Sequence, residues 1–325
     1  KIENEKVEFK KYWSLPSDKK QISLDEFDEK LKYLLSDSIK IQSRSDVEVA
    51  SMLSGGIDSS LISILFSKNS NNRIKTFCLD FLGKNKNESL DAEIVSKKIN
   101  SDHYLKEINQ SIFFSTIKKI STLIDEPISD NAVVPSYIIS EMAKKENIKV
   151  ILSGAGSDEI FGGYSRHYSS FRNFFYGVLR LDTNFSNKIS KLIPYKLRNH
   201  FYKMNSKSLA YCNETSGINI SVLLNILRDE KLQSQIIYEI ENLFSPYLNN
   251  QIIEHKEKFM ITDLNNYLPD DVLSLLDKTT MMNSLEGRVP YLDHRIVEHV
   301  FSNNSEIFYE KKALNAKSVL KRIFK

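Results

Sequence analysis

Seven residues early in the chain have the types and spacing for anion chemistry. Ser54-Gly55-Gly56-Ile57-Asp58-Ser59-Ser60 interrupts the otherwise apolar run VEVASMLSGGIDSSLISILF of residues 47–66. Glycines at a strand-to-helix turn let backbone N–H groups approach an anion without Cβ interference, and the following helix points its positive N-terminus at the same spot. That is a phosphate cradle. No Gly-Lys-Ser/Thr follows, so it is not a Walker A loop. The charged member is Asp58, which repels phosphate unless a divalent cation lies between them, so magnesium is implied. The alternative is a plain glycine turn in which Asp58 or Ser59 caps the helix.

A second loop, LSGAGSDEIFGGY (152–164), again follows an apolar run and again combines Ser-Gly with a carboxylate, Asp158. Two such loops on one sheet suggest one ligand between them. A dinucleotide GxGxxG fingerprint starting at Gly154 would need glycine at 159, where Glu159 stands. A third segment, YLPDDVLSLLDKTTMMNSLEGRVPYLDHR (267–295), concentrates Asp270, Asp271, Asp277, Glu286, Arg288 and Asp293 among apolar residues. Helical spacing predicts Asp270 and Asp277 on one face, and Arg288 offers a planar fork for a carboxylate or phosphate. Taken alone, this segment also reads as a solvated, salt-bridged helix pair.

The elements that must position these loops follow from periodicity. Residues 47–53, 74–81, 103–108 and 148–153 read as strands, with helices between them over about 58–68, 88–100, 110–124 and 134–147. Strands alternating with helices predict right-handed crossovers and a parallel sheet with helices on both faces. Seven of the ten glycines fall in the first 164 residues. Beyond them the chain is glycine-poor, with periodic apolar positions such as Ile218, Val222, Leu223, Ile226 and Leu227, and reads as mostly helical. The expected organisation is a linker and lead-in helix over 1–46, a nucleotide-binding α/β core over 47–164, and a mainly helical region over 165–325.

Composition sets the outer limits. The 325 residues are 41% hydrophobic and 27% charged, with 45 basic against 42 acidic side chains, so no global field argues for nucleic acid. Cys78 and Cys212 lie far apart and form no CxxC, which fits a reducing cytoplasm and argues against a zinc ribbon or redox dithiol. No run approaches the ~18–20 apolar residues of a membrane span. The chain begins at Lys1 rather than Met and reads as part of a longer protein.

Together, and in this order, the three segments resemble the synthetase domain of the glutamine-dependent asparagine synthetases, a branch of the PP-loop ATP pyrophosphatases with an adenine nucleotide alpha hydrolase-like fold. KKYWSLP (10–16) is similar to that family's linker, and VLKRIF (319–324) to the helix before its last active-site segment. The resemblance implies that Ser54, Gly55, Gly56, Asp58 and Ser59 grip the pyrophosphate of ATP, with Asp58 and Asp158 binding it through Mg2+. It implies that Met52 and Leu79 frame the adenosine, that Ser153 and Gly154 contact the nucleotide, and that Tyr164 lies close by. Ala155, Glu159, Asp277 and Arg288 are the candidates for the acceptor side. The implied reaction adenylates a small-molecule carboxylate, aspartate by default, and lets ammonia displace AMP. The ammonia would come from a glutaminase domain absent from this chain, and a homodimer is a compatible assembly.

The chain departs from the family at three places. Asparagine-forming members usually carry an acid where Ala155 stands, which opens the acceptor to sugar acids, peptides or antibiotic precursors. An N-terminal nucleophilic cysteine is missing. The chain also stops at Lys325, before the loop that supplies the family's catalytic lysine. Plainer readings attach to other residues: a structural hydrogen bond for His103, a helix-terminating turn or a substrate-edge role for Asp125-Glu126-Pro127. The basic tail Lys311, Lys312, Lys317, Lys321, Arg322 and Lys325, around Leu314, Val319, Leu320 and Ile323, reads as an amphipathic helix with a solvated face.

Overall fold

The computed structural model describes residues 2–3, 6–82, 88–126, 128–168, 179, 189–190, 192–227, 229–251, 257–303 and 317–324. Gly83, Pro127, Gly177, Lys311, Lys312, Leu314 and Lys325 lie outside the described residues.

Four short apolar runs form strands within a residue or two of the expected positions: β1 Val49–Met52, β2 Lys75–Phe81, β3 Asp102–Ile108 and β4 Val150–Leu152. A fifth, β5 Glu286–Arg288, comes from the third chemistry-bearing segment, where the sequence suggested helix. All five are parallel, in the order β3-β2-β1-β4-β5. The register pairs Val49 with Val150 and Ala50 with Lys75.

Both faces of the central strands are buried, and the period-two alternation of side chains decides what covers each. Val49, Val150 and Leu152 pack with helices α1 (Leu24–Gln42) and α2 (Ile57–Asn69). Ala50, Ile151 and Phe77 face the opposite way, toward α5 (Val133–Lys145). Helices α3 (Glu88–Ile99) and α4 (Gln110–Ile120) complete the crossovers. Helix α1 is placed by a Ser-x-x-Glu start, in which Ser23 Oγ accepts from the Glu26 N–H, and by Phe27, Leu31, Leu34, Leu35 and Ile39 at helical spacing.

After β4 come two short helices, α6 (Ser157–Phe161) and α7 (Ser165–Tyr168). The helical half then adds α8 (Tyr195–Asn205), α9 (Lys207–Thr215), α10 (Ile220–Ile226), α11 (Glu230–Leu248) and α12 (Lys258–Thr262). In α10 the buried face is Ile220 and Leu224, while Ile226 is exposed. An eleven-residue π-helical segment, Asp263–Leu273, runs directly into α13 (Ser274–Met281). Two helices close the core against α1: α14 (His294–Phe301) and α15 (Ser318–Ile323). No helix among the described residues is long and apolar enough to cross a membrane.

Candidate active site

The strand order places β1 and β4 side by side with crossovers leaving in opposite senses, which opens a crevice at their carboxyl ends. The two Ser-Gly loops sit on either side of it. In the first, Gly55 has φ +79°, and a Cβ there would lie 2.4 Å from the Glu88 carbonyl oxygen. The turn therefore needs glycine for its backbone angle and for the close approach of α3. Ser59 Oγ bonds the Ser54 N–H and hydroxyl at 3.0 Å each, so it braces the loop. Helix α2 starts at Gly56 without a side-chain cap, whereas Ser23 and Asn109 cap α1 and α4. The alternative in which Asp58 or Ser59 caps the helix is thus excluded, and the first-turn N–H groups remain available to an anion.

Asp58 and Asp158 converge. Ser157 Oγ donates to Asp58 Oδ1 at 2.5 Å, while Lys317 Nζ bonds Asp58 Oδ2 and reaches Asp158 Oδ1 at 2.8 Å. Burial works to depress the Lys317 ammonium, but Asp58 and then Asp158 outweigh it and hold its pKa above the ordinary lysine value. Lys317 corrects the reading of the basic tail as a solvated face: it is 9% exposed and has φ +59° at the start of α15. Of the rest of that helix, the apolar positions and Lys321 follow the expected pattern, whereas Arg322 leaves the solvated face for an ion pair. Val319, Leu320 and Ile323 are buried, Lys321 is exposed, and Arg322 pairs with Asp28 at 2.5 and 2.7 Å.

Two carboxylates facing one cation position suit a hard divalent ion that takes its other ligands from phosphate and water. No group of three His, Cys, Asp or Glu side chains among the described residues forms an all-protein metal cage. The chemistry of these two carboxylates fits Mg2+, at a position that the Lys317 ammonium shares.

The carboxylates open onto a cleft of about 340 Å³. Nine residues singled out from the sequence line it: Met52, Ser54, Asp58, Ser59, Leu79, Ser153, Gly154, Ala155 and Asp158. Cys78, Phe81, Pro135 and Ile139 supply further apolar wall, and Glu88 its rim. Burial raises the Cys78 thiol to about 11, so it acts as wall rather than nucleophile.

Tyr164 and Glu159 belong to a neighbouring cluster. The Tyr164 hydroxyl donates to Glu159 Oε1 at 2.8 Å, and Glu159 is 1% exposed with its other oxygen unpartnered. Burial pushes the Glu159 carboxyl up to about 7, against the Tyr164 bond, which pulls it down. Arg288 is engaged elsewhere: its guanidinium bonds Glu286 and the carbonyls of Gln42 and Arg44, tying β5 to the end of α1. Asp277 is exposed on α13 and does not line the cleft. The π-helical segment changes the turn between Asp270 and Asp277, so ordinary helical spacing does not relate them. His103 bonds Thr76 Oγ1 at 2.8 Å, as the structural reading expects. Asp125 and Glu126 pair with Lys278 at 2.5 and 2.8 Å.

The family model described as asparagine synthase matches residues 30–325. A Mycobacterium tuberculosis protein that carries the name "Putative asparagine synthetase [glutamine-hydrolyzing]" is 32% identical over 274 residues, covering 81% of this chain and 40% of that protein. Asparagine synthetase [glutamine-hydrolyzing] 1 of Bacillus subtilis is 28% identical, covering 95% of this chain and 48% of its own length. The chain thus spans about half the length of the curated relatives it matches. Among solved structures, an NH3-dependent NAD synthetase from Campylobacter jejuni is 18% identical with a TM-score of 0.32, covering 72% of this chain and 100% of that one.

Proposed function

The chain belongs to the asparagine synthase family, and from that premise we propose that it is the part of an amide synthetase that uses ATP to activate a carboxylate, with aspartate the first candidate. One observation carries this reading: Asp58 in the first turn of the uncapped helix α2 and Asp158 line one cleft, and Lys317 bridges the two carboxylates. In the proposed reaction an acceptor carboxylate oxygen attacks the α-phosphorus of ATP, the bond to the bridging oxygen breaks, and pyrophosphate leaves. Ammonia then attacks the acyl carbon, the bond to AMP breaks, and the surplus proton passes to a base. The nitrogen comes from glutamine through a separate glutaminase unit.

The chain's own part is positioning and charge. The N–H groups at the start of α2 and the Lys317 ammonium stabilise the charge that grows on the departing pyrophosphate. Met52, Cys78, Leu79 and Phe81 exclude water from the adenosine end. Asp58 and Asp158 would hold Mg2+, which when bound neutralises phosphate charge.

A second reading, a larger acceptor such as a sugar acid or peptide, draws on Ala155. It lines the cleft with Pro135 and Ile139 and offers a methyl group that can neither accept a proton nor orient ammonia. The test is acceptor-dependent pyrophosphate release by the whole polypeptide with ammonia, for wild type and Ala155→Glu. Release with aspartate that rises in the variant supports asparagine formation. No aspartate-dependent release in either protein overturns it. Activity with a bulkier carboxylate that Ala155→Glu obstructs establishes the second reading, because a carboxylate buried there costs desolvation and fills volume.

A further inference from the structure

Behind the cleft, Asp263 is fully buried at the start of the π-helical segment. Its carboxylate accepts from Arg166 Nε at 2.9 and 3.2 Å, from Tyr211 hydroxyl at 2.5 Å, and meets His167 Nε2 at 2.6 Å. Arg166 and His167 lie in α7, eight and nine residues after Asp158. The Arg166 guanidinium also lies over the Tyr164 ring, 3.9 Å from its centroid, and the Tyr164 hydroxyl holds Glu159 in α6. Between the two helices the chain doubles back beneath Asp158: the Gly163 N–H bonds the Asp158 carbonyl at 2.8 Å, and a Cβ on Gly163 would fall 1.5 Å from Asp158 Oδ1. The corner 157–168 is therefore tied at its far end to Asp263 and presents Asp158 at its near end.

We propose that Asp263 is a positioning residue for the nucleotide site, holding Arg166 and His167 so that the corner aims the Asp158 carboxylate at the position shared with Asp58. This rests on the reading of Asp58 and Asp158 as the carboxylates that bind ATP through Mg2+. A buried ion pair alone is an ordinary structural device. This one differs in its connection, because every link from Asp263 to α6 is a direct contact.

The test is Mg2+-dependent binding of a fluorescent ATP analogue, alongside the melting temperature, for wild type, Asp263→Asn, Arg166→Lys, Tyr211→Phe and Asp158→Asn. Groups that orient metal ligands typically shift metal affinity roughly tenfold or more when altered. Asp263→Asn and Arg166→Lys are expected to raise the Mg2+ half-saturation by about that factor in folded protein. Tyr211→Phe removes an Asp263 partner outside the corner and is expected to lower only the melting temperature. If Asp263→Asn fails to fold, Arg166→Lys decides. An unchanged half-saturation in folded Arg166→Lys overturns the positioning role, provided that Asp158→Asn loses Mg2+ dependence. If Asp158→Asn keeps it, the nucleotide reading itself fails.

Discussion

Two carboxylate-centred clusters lie on either side of α6, and the same chemistry serves opposite ends in them. At the cleft, Asp58 and Asp158 share Lys317, the side chains remain partly exposed, and an uncapped helix start faces the same space. Behind it, Asp263 is sealed from solvent and saturated by Arg166, His167 and Tyr211. A carboxylate whose two oxygens are matched inside the protein and closed to water is architecture. One that opens onto a cavity with unspent donors beside it is a place for a ligand.

The largest expected effect tests the sealed cluster. Asp263→Ala leaves the Arg166 guanidinium buried without its carboxylate, and removing one partner of a buried pair costs about 3–5 kcal/mol. Chemical denaturation reads this directly. A loss below about 1 kcal/mol, the scale of an exposed pair, would mean that water reaches the network and the contrast between the two clusters is false.

A smaller effect separates the clusters by pH. Glu159 stands between them with its carboxyl raised to about 7 by burial. Between about pH 4.5 and 7 the folded protein keeps a proton that the unfolded chain has released, so its contribution to stability is full below pH 4.5 and is lost as pH rises through 7. Wild type is expected to lose roughly 2–3 kcal/mol over that window relative to Glu159→Gln, which has no proton to lose. Parallel denaturation profiles for the two proteins at pH 5 and 8 would show that Glu159 is solvated.

The cleft was more legible in the sequence than the network behind it, and the physical reason is locality. Strands β1 to β4 announce themselves as apolar or β-branched runs, and SGGIDSS and LSGAGSDEIFGGY each hold their loop, helix start and carboxylate within a few residues. Strand β5 has no such pattern: Glu286-Gly287-Arg288 becomes a strand by pairing with Val150–Leu152. Lys317 resembles any lysine on an amphipathic helix, and its contact with Asp58 spans 259 residues. Asp263 meets its arginine across 97 residues, from a π-helical turn that no periodicity argument anticipates. The one local signal was Arg-His just after the Gly-Gly-Tyr of the second loop, two donors with no acid beside them.

Lys317, Asp58 and Asp158 are proposed to form one charge-handling centre for a nucleoside triphosphate. Calorimetric titration of ATP into wild type and Lys317→Met, with and without Mg2+, tests it most directly. Mg2+-dependent binding is expected in wild type, weakened roughly tenfold or more in the variant, since a charge-assisted contact contributes about 1.5–3 kcal/mol. ATP binding of equal strength in both proteins, indifferent to Mg2+, would contradict it.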